Sequence, residues 1–239
     1  MNTRYGNTDK NLNFNKENIK KSIQILSKEL GNLPIITLNQ THSNKVVVFE
    51  NLKTFDQNNQ LDADAIITLS KNVFVGVKTA DCLPLFLYSD DFVCAIHLGR
   101  KGILSGLLDN VLAKLKELEF LDFSKIQAVI GPNLQPKDHI CFEQVLDQFP
   151  SQFVTKFEKD VHIITNQKLW DDYLSQNPIL PDFSGTLDME SFVVELLQKA
   201  GIINTISPKL NTFNNLNLHS YRRDYPNYGL MLNYIGNID

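Results

Sequence analysis

The chain has 239 residues, of which 43% are hydrophobic and 21% charged, and its formal net charge is −4 at pH 7. This composition is typical of a globular protein and excludes a disordered chain of low hydrophobicity and high net charge. Three scattered cysteines are too few for a secreted disulfide framework, and the mild acidity argues against a nucleic-acid binder with a basic face. No apolar run approaches the roughly 18 residues that span a bilayer, so we expect a cytoplasmic protein with reduced thiols and no membrane partner.

The hydrophobic pattern predicts buried strands that alternate with amphipathic helices. The first helix is expected around residues 16–30, and Gly31 follows it as a stop. In chain order there follow strands at 46–49, 65–68, 73–77, 85–88 and 92–96, a helix at 103–118, a strand at 128–130 and a helix at 188–200. Since the sequence contains no internal repeat, linker or composition break, residues 1–239 are predicted to form a single mixed-sheet α/β domain with flanking helices.

His97 follows one of the predicted apolar strands, and Gly99 and Gly102 come next, before the second helix. A polar ring at the C-terminal end of a strand, in a glycine-containing turn that leads to a helix, lies where α/β folds place ligands. His97 is therefore a candidate functional residue, with an exposed loop histidine as the alternative.

Cys82 and Asp81 lie in a polar break between two strongly apolar strands. A buried carboxylate in such a place needs a hydrogen-bond donor or a cation. The thiol of Cys82 is a candidate ligand or nucleophile, and a small buried apolar side chain is the alternative.

His42 lies in a polar turn directly before another predicted strand, where an exposed histidine is also common. Together, His42, Cys82 and His97 offer two imidazoles and one thiolate at the boundaries of apolar strands. Two nitrogens and a sulfur suit zinc, and three protein ligands leave a fourth position for water, as in catalytic zinc sites. No short-spacing motif supports this interpretation, because the three residues are far apart in sequence.

The remaining thiols and imidazoles are expected to have other roles. Cys94 precedes His97 by three residues, so on a strand it points to the opposite face and belongs to the core. Cys141 is expected to be a packing thiol and His139 a solvated side chain. His162 is expected to be an ordinary strand residue.

Two further stretches concentrate charge. Asp62 and Asp64 place two carboxylates on the same side of an extended segment, just before a strand. Near the C-terminus, Arg222 and Arg223 offer guanidinium groups that suit phosphate or carboxylate. A solvated salt-bridge cluster is the alternative for the two arginines.

Taken in order, these motifs resemble the laccase-domain family, first described as multicopper polyphenol oxidases and later as purine nucleoside phosphorylases. The resemblance extends from about residue 3 to 235. Its most specific parts are the alanine-aspartate-cysteine and histidine-x-glycine segments. The motifs that carry it are Gln40-Thr41-His42, Asp62-Ala63-Asp64-Ala65, Thr79-Ala80-Asp81-Cys82-Leu83-Pro84, His97-Leu98-Gly99-Arg100-Lys101-Gly102, Ile130-Gly131-Pro132 and Ser220-Tyr221-Arg222-Arg223-Asp224.

The resemblance implies a mixed α/β fold similar to that of cysteine-hydrolase-like toxin domains. It also implies a catalytic zinc held by His42, Cys82 and His97, with copper less favoured. The implied activities are phosphorolysis of adenosine, inosine, guanosine and methylthioadenosine, together with adenosine deamination. The implied partners are therefore purine nucleosides and phosphate, and the protein is expected to be a monomer or a small homo-oligomer.

These reactions require a proton carrier and cationic groups. Asp81 and Asp64 are the candidate proton carriers, and Asp64 is also a candidate substrate-binding residue. The cationic candidates for binding phosphate and nucleoside are Arg4, Lys45, Arg222 and Arg223.

Several positions depart from the family pattern. Arg100 and Lys101 stand where a tryptophan and an arginine are usual, Asn211 replaces a cysteine, and Leu230 replaces an arginine. These departures leave a catalytically impaired nucleoside-binding protein as one alternative. Two others stay open: a metal-free thiol hydrolase that uses Cys82 with His97 or His42 as its base, and a copper-dependent phenol oxidase. The copper alternative is weak, because five histidines are few for multicopper sites.

Overall fold

A computed structural model describes residues 2–50, 61–157, 175 and 183–239. The helices are α1 (Ile19–Glu29), α2 (Arg100–Leu104), α3 (Leu107–Glu117), α4 (Glu143–Leu146), α5 (Met189–Lys199) and α6 (Tyr221–Asp224). The strands are β1 (Asn2–Asn7), β2 (Ile35–Thr37), β3 (Val46–Phe49), β4 (Ala65–Thr68), β5 (Phe74–Thr79), β6 (Leu83–Tyr88), β7 (Val93–Leu98), β8 (Gln127–Ile130), β9 (Ile140–Phe142), β10 (Val154–Lys156), β11 (Phe183–Leu187), β12 (Asn204–Ile206) and β13 (Met231–Ile238). Within these ranges, every helix is too short or too polar to cross a bilayer.

The described strands form three sheets. A six-stranded sheet has the order β12-β8-β6-β7-β4-β3, and a four-stranded sheet has the order β1-β13-β5-β2. Both sheets are mixed: β12 is parallel to β8, β3 to β4 and β2 to β5, whereas their other pairs are antiparallel. A small antiparallel sheet has the order β10-β11-β9.

The two larger sheets pack face to face, and helices cover their outer faces. In β6, Phe86 points to the four-stranded sheet, whereas Leu85 and Leu87 point to α3 and α5, as the two-residue period of a strand requires. In β5, Val75 points between the sheets, whereas Phe74 packs with α1. The result is a layered α/β fold in which the inner strands of the two larger sheets are covered on both faces, which explains their apolar runs.

Most of the predicted elements are confirmed. The predicted helices at 16–30 and 188–200 correspond to α1 and α5, and each of the six predicted strands matches an observed strand to within two residues. The prediction of one helix over 103–118 is wrong. Gly106 has a φ of 79°, in the left-handed region, and divides the segment into α2 and α3. The strand predicted around His162 lies outside the described residues.

Candidate metal centre and active site

Two histidines and one cysteine converge at one end of the six-stranded sheet. His97 lies near the end of β7, Cys82 directly precedes β6, and His42 lies between β2 and β3. Their ligand atoms all lie within 4.8 Å of one another, and Cys82 Sγ is 3.9 Å from His42 Nε2. His97 is buried, Cys82 is half-buried and His42 is exposed, so the group is accessible from one side. The structure therefore brings together the three metal ligands predicted from the sequence.

Asp64 fixes the positions of both histidines. Its buried carboxylate accepts hydrogen bonds from the backbone N–H groups of Thr41, His42 and Ser43 at 3.2, 3.1 and 2.6 Å. These bonds hold His42 at a φ of 57°, which a residue other than glycine rarely adopts. Nδ1 of His97 donates to the same carboxylate at 2.8 Å, so its Nε2 remains for the thiol side of the group.

The ionised forms of Cys82, His97 and Asp64 stabilise one another. Burial raises the pKa of Cys82, but the charge of His97 and the hydrogen bond to His42 outweigh burial and lower it to about 6. Burial lowers the pKa of His97, whereas the charge of Cys82 and the hydrogen bond to Asp64 raise it to about 9. Burial also raises the pKa of Asp64, yet hydrogen bonds from His97 and Ser43 leave it well below its usual range. The group thus favours a thiolate, the form in which cysteine binds a metal.

The backbone of Gly99 closes one side of the group. A Cβ atom at this position would lie 2.8 Å from His42 Cδ2 and 3.4 Å from Cys82 Sγ. Because the φ of Gly99 is an ordinary −78°, this close approach, rather than backbone conformation, is the reason for glycine.

The donor set fits a zinc ion. Nitrogen and sulfur ligands at tetrahedral positions, about 2.1 and 2.3 Å from zinc, lie roughly 3.6 Å from each other. The 3.9 Å between Cys82 Sγ and His42 Nε2 is close to that separation. Within the described part of the chain, His42, Cys82 and His97 form the group of potential metal ligands whose ligand atoms lie this close together.

Asp81 connects the Cys82 loop to the C-terminal segment. Its Oδ1 accepts a hydrogen bond from Thr212 Oγ1 at 2.5 Å, and its Oδ2 accepts one from the backbone N–H of Arg222 at 2.6 Å. Burial raises the pKa of Asp81, and the hydrogen bonds from Thr212 and Arg222 oppose that shift. Asp81 itself has a φ of 83°, and its carbonyl accepts the N–H of Leu134 at 3.0 Å. The strand boundary at Cys82 is therefore held by long-range contacts.

The other predicted substrate-binding residues lie in different surroundings. Arg4 pairs with Gly236 in the β1–β13 ladder, whereas the end of β13 beside the site is Met231, which pairs with Thr79. The sheet register thus places Arg4 several residues away from the His-Cys-His group. Lys45 is exposed and follows His42 by three residues.

The two adjacent arginines differ in their contacts. The Arg223 guanidinium donates to the carbonyls of Thr212, Phe213 and Leu218 and to Asp224. These bonds hold the C-terminal loop together, so the guanidinium of Arg223 is largely engaged within the protein. Arg222 is half-buried beside Asp81, and its Nη1 atom is buried.

The other cysteine and histidine side chains in the described part of the chain are buried. Cys94 and Cys141 are buried in the core, as predicted. The prediction of a solvated His139 is wrong: its side chain is 7% exposed, because the turn before β9 folds under the loop around Asn211. His219 is also buried, and its Nε2 contacts the carbonyl of Leu12.

Sequence analysis did not single out two groups that shape the site. Ser43 donates to Asp64 through both its N–H and its hydroxyl, at 2.6 and 2.7 Å, and Thr212 donates to Asp81. The sequence signal for Ser43 is its position directly after His42 in the polar turn, where its hydroxyl can donate a hydrogen bond. Nothing local indicates Thr212, because its partner is 131 positions away.

The chain is similar to several known proteins. A family profile described as multi-copper polyphenol oxidoreductase laccase matches residues 2–237. A purine nucleoside phosphorylase of Clostridium acetobutylicum is 29% identical over 230 residues, which cover 94% of this chain and 86% of that protein. A purine nucleoside phosphorylase of Aquifex aeolicus is 31% identical over 198 residues, which cover 82% of this chain and 78% of that protein.

Solved structures share the fold. The hypothetical protein YfiH of Bacillus licheniformis matches with a TM-score of 0.79 at 20% identity, covering 98% of this chain and 92% of that one. YlmD of Geobacillus stearothermophilus matches with a TM-score of 0.78 at 18% identity, covering 99% and 92%. At these identities the likeness supports the α/β fold predicted from the sequence.

Proposed function

Because this chain belongs to the multi-copper polyphenol oxidoreductase laccase family, we propose that it is a zinc-dependent purine nucleoside phosphorylase. The membership confirms the family resemblance drawn from the sequence motifs. One observation carries the proposal: two imidazoles and a thiolate with a lowered pKa converge at an accessible point of a chain whose relatives are named purine nucleoside phosphorylases. Its substrates are then purine nucleosides (adenosine, inosine, guanosine or methylthioadenosine) and phosphate.

His42, Cys82 and His97 would hold the ion. Two imidazole nitrogens and a thiolate are ligands that zinc prefers, and three protein ligands are typical of a catalytic rather than a structural site. When bound, zinc would supply Lewis acidity at this accessible group of side chains. Asp64 acts as a positioning residue, since it orients His97 and holds the His42 turn through hydrogen bonds.

In phosphorolysis, an oxygen of phosphate forms a bond to C1′ of the ribose, and the bond from C1′ to the purine nitrogen breaks. The departing base takes the electron pair and the equivalent of the proton that hydrogen phosphate loses, so the products are the protonated free base and ribose 1-phosphate. Cationic groups are required to hold the phosphate dianion. We assign this role to Arg222, because its backbone N–H donates to Asp81, the residue before Cys82, and we retain Lys45 as a further candidate. Arg4 lies away from the group.

Adenosine deamination is a second proposed activity of the same site. A water oxygen would bond to the purine carbon that bears the amino group, and ammonia would leave after receiving a proton. The hydrogen bonds to Asp64 hold its pKa well below its usual range, which suits a fixed structural anion. Asp81 also accepts hydrogen bonds, but burial raises its pKa, so this residue next to Cys82 is the remaining candidate for proton transfer.

The decisive experiment combines metal analysis with product detection. Purified protein, incubated with each nucleoside and inorganic phosphate, is expected to contain about one zinc per chain and to release ribose 1-phosphate. Cys82→Ala is expected to lose the zinc and at least about 100-fold of the phosphorolysis while remaining folded. Cys94→Ala is the matched control, since it removes a core thiol and leaves the ligands in place. Full phosphorolysis by Cys82→Ala would eliminate the proposed site.

A metal-free thiol hydrolase is the second candidate. It is favoured by the lowered pKa of Cys82 and by the Asp64–His97 hydrogen bond, because a base oriented by a carboxylate activates nucleophiles in many hydrolases. Treatment with a strong chelator separates the two candidates. A thiol hydrolase keeps its activity after the metal is removed, whereas the proposed phosphorylase loses it and regains it on addition of zinc. The same metal analysis detects copper, which the phenol oxidase alternative requires.

A further inference from the structure

Three tyrosines near the C-terminus form an exposed aromatic cluster. The side chains of Tyr221, Tyr225 and Tyr228 are 47%, 44% and 36% exposed. The ring centroid of Tyr221 lies 5.3 Å from that of Tyr225, with the planes inclined at 56°, and 4.7 Å from that of Tyr228, edge to face at 71°. Single exposed apolar side chains are common on proteins, whereas contiguous ones often mark a place where a ligand or partner binds. Because the Tyr221 ring contacts both of the others, the three form one such surface.

A hydrogen bond links this cluster to the loop that carries Cys82. The backbone N–H of Arg222 donates at 2.6 Å to the carboxylate of Asp81, the residue before Cys82. Bonded geometry then places the Cα atom of Tyr221 within about 5 Å of that carboxylate and no more than about 13 Å from the Cα atom of Cys82. A ligand of the size of a nucleoside can therefore contact both the aromatic cluster and the His-Cys-His group.

The sheet register places the cluster at the same end of the molecule. Met231, the first residue of β13, pairs with Thr79, the last residue of β5, in an antiparallel ladder. The chain that enters β13 and the chain that leaves β5 therefore lie at one end of the four-stranded sheet. Tyr228 precedes Met231 by three residues, and Cys82 follows Thr79 by three. The register thus agrees with the hydrogen bond from Arg222.

The backbone that carries the three rings is fixed by contacts within the C-terminal segment. The N–H of Tyr225 donates to the carbonyl of Tyr221 at 3.0 Å. The guanidinium of Arg223, in α6, donates to four backbone carbonyl groups of the preceding loop. Gly229, next to Tyr228, packs so closely on the His219 ring that a Cβ atom would overlap it. A fixed backbone reduces the entropy that is lost when a ligand binds to this surface.

We propose that Tyr221, Tyr225 and Tyr228 form the surface on which the purine base of the nucleoside substrate stacks. The proposal rests on the proposed function, which makes a nucleoside the ligand of the neighbouring metal centre. Every base has a π-face, so stacking on an aromatic side chain depends little on which base is bound. The surface therefore recognises purine nucleosides as a class and discriminates little between adenosine, inosine and guanosine.

The test uses the zinc-loaded full chain, with adenosine, inosine and guanosine as probes. Tyr228→Leu removes one ring but keeps an apolar side chain, and Tyr228→Phe keeps the ring. Tyr5→Leu is the matched control: Tyr5 is 42% exposed and its ring contacts Tyr88, at the opposite end of β6 from Cys82. Calorimetry measures the dissociation constant of inosine, phosphorolysis gives the KM for each nucleoside and for phosphate, and sedimentation gives the oligomeric state.

Tyr228→Leu is expected to raise the dissociation constant of inosine, and the KM for all three nucleosides, by about tenfold, as for loss of one stacking contact. The KM for phosphate is expected to change less than about twofold, because the ring contacts the base alone. Tyr228→Phe is expected to recover most of the affinity that Tyr228→Leu loses. Tyr5→Leu is expected to change the affinity for each nucleoside less than about twofold.

The outcomes separate the stacking surface from the proposed function. If phosphorolysis occurs and Tyr228→Leu leaves the KM for all three nucleosides unchanged, the stacking surface is wrong and the proposed function stands. If Tyr228→Leu changes the oligomeric state and leaves inosine affinity unchanged, the cluster is an interface between copies of the chain and the stacking surface is also wrong. If no nucleoside is cleaved but inosine binding depends on the Tyr228 ring, the surface stands and the proposed function is wrong.

Discussion

Two carboxylates organise the two halves of the site in different ways. Asp64 holds the half that carries the histidines, mainly through backbone N–H groups of the turn at 41–43. Asp81 holds the half that faces the C-terminal segment, through the hydroxyl of Thr212 and the N–H of Arg222. The pKa of Asp64 is lowered, because donors around it outweigh burial, whereas burial dominates around Asp81 and raises its pKa.

The two halves also differ in the groups that hold them. The geometry of the Asp64 half depends on consecutive backbone N–H groups and one imidazole. The Asp81 half includes Asn211, one of the departures from the family pattern, which donates to Asp138. We infer that the Asp64 half determines whether a metal binds and that the Asp81 half determines which ligand binds beside the metal. Variants that change one half alone test whether the two halves act separately.

Asp64→Asn has the largest expected effect. The amide offers one acceptor oxygen in place of two and presents N–H donors to backbone N–H groups, so several buried donors lose their partner. We expect zinc affinity to fall by about 100-fold and the free energy of unfolding to fall by about 3 kcal/mol. Zinc affinity is measured by competition with a chromophoric chelator, and stability is measured by urea unfolding.

Asp62→Asn is the control for this substitution. Asp62 is exposed, two residues earlier in the same motif, and accepts from Asn39 at 2.6 Å. Its replacement is expected to change stability by less than about 0.5 kcal/mol and to leave zinc affinity unchanged. Equal zinc affinities of the Asp64→Asn and Asp62→Asn variants would show that Asp64 does not position the ligands.

Gly99→Ala has the next largest expected effect. The added methyl group would meet the His42 ring at 2.8 Å, which forces the exposed imidazole to move away from Cys82. We expect zinc affinity to fall by about tenfold, with little loss of stability, because His42 can rotate toward solvent. In Gly102→Ala the methyl group has its nearest neighbours at 3.4 Å, so this helical variant is expected to bind zinc normally. If Gly99→Ala also binds zinc normally, the close approach of Gly99 is not needed for the ligand geometry.

Sequence patterns predicted the parts of the fold that are buried on both faces. The strands β4 to β8 each contain an apolar run, and α1 and α5 have clear apolar faces, so local hydrophobicity determines them. The strand β1, with sequence NTRYGN, has no such pattern. It forms by pairing with β13, more than 220 positions away, and tertiary contacts of this kind override local propensity.

The site shows the same contrast between residues that local sequence indicates and residues that long-range contacts position. The three ligands are recognisable because histidine and cysteine are rare in this chain and stand at the ends of apolar strands. The burial of His139 was not predictable, because it depends on the hydrogen bond between Asn211 and Asp138. Arg222 and Arg223 are adjacent and chemically identical in sequence, yet only the fold shows that carbonyl groups surround one of them.

Thr212→Val has the smallest expected effect and tests the other half of the site. Valine keeps the volume of threonine but leaves Oδ1 of Asp81 without its donor, so we expect a loss of about 1–2 kcal/mol in the free energy of unfolding. The zinc affinity of this variant is expected to stay within about twofold of that of the unmodified chain, since Asp64 holds the half that carries the histidines. Thr212→Ser restores the hydroxyl and is expected to recover most of the stability. If Thr212→Val instead releases zinc as Asp64→Asn does, the two halves are coupled, and metal binding depends on the C-terminal segment as well.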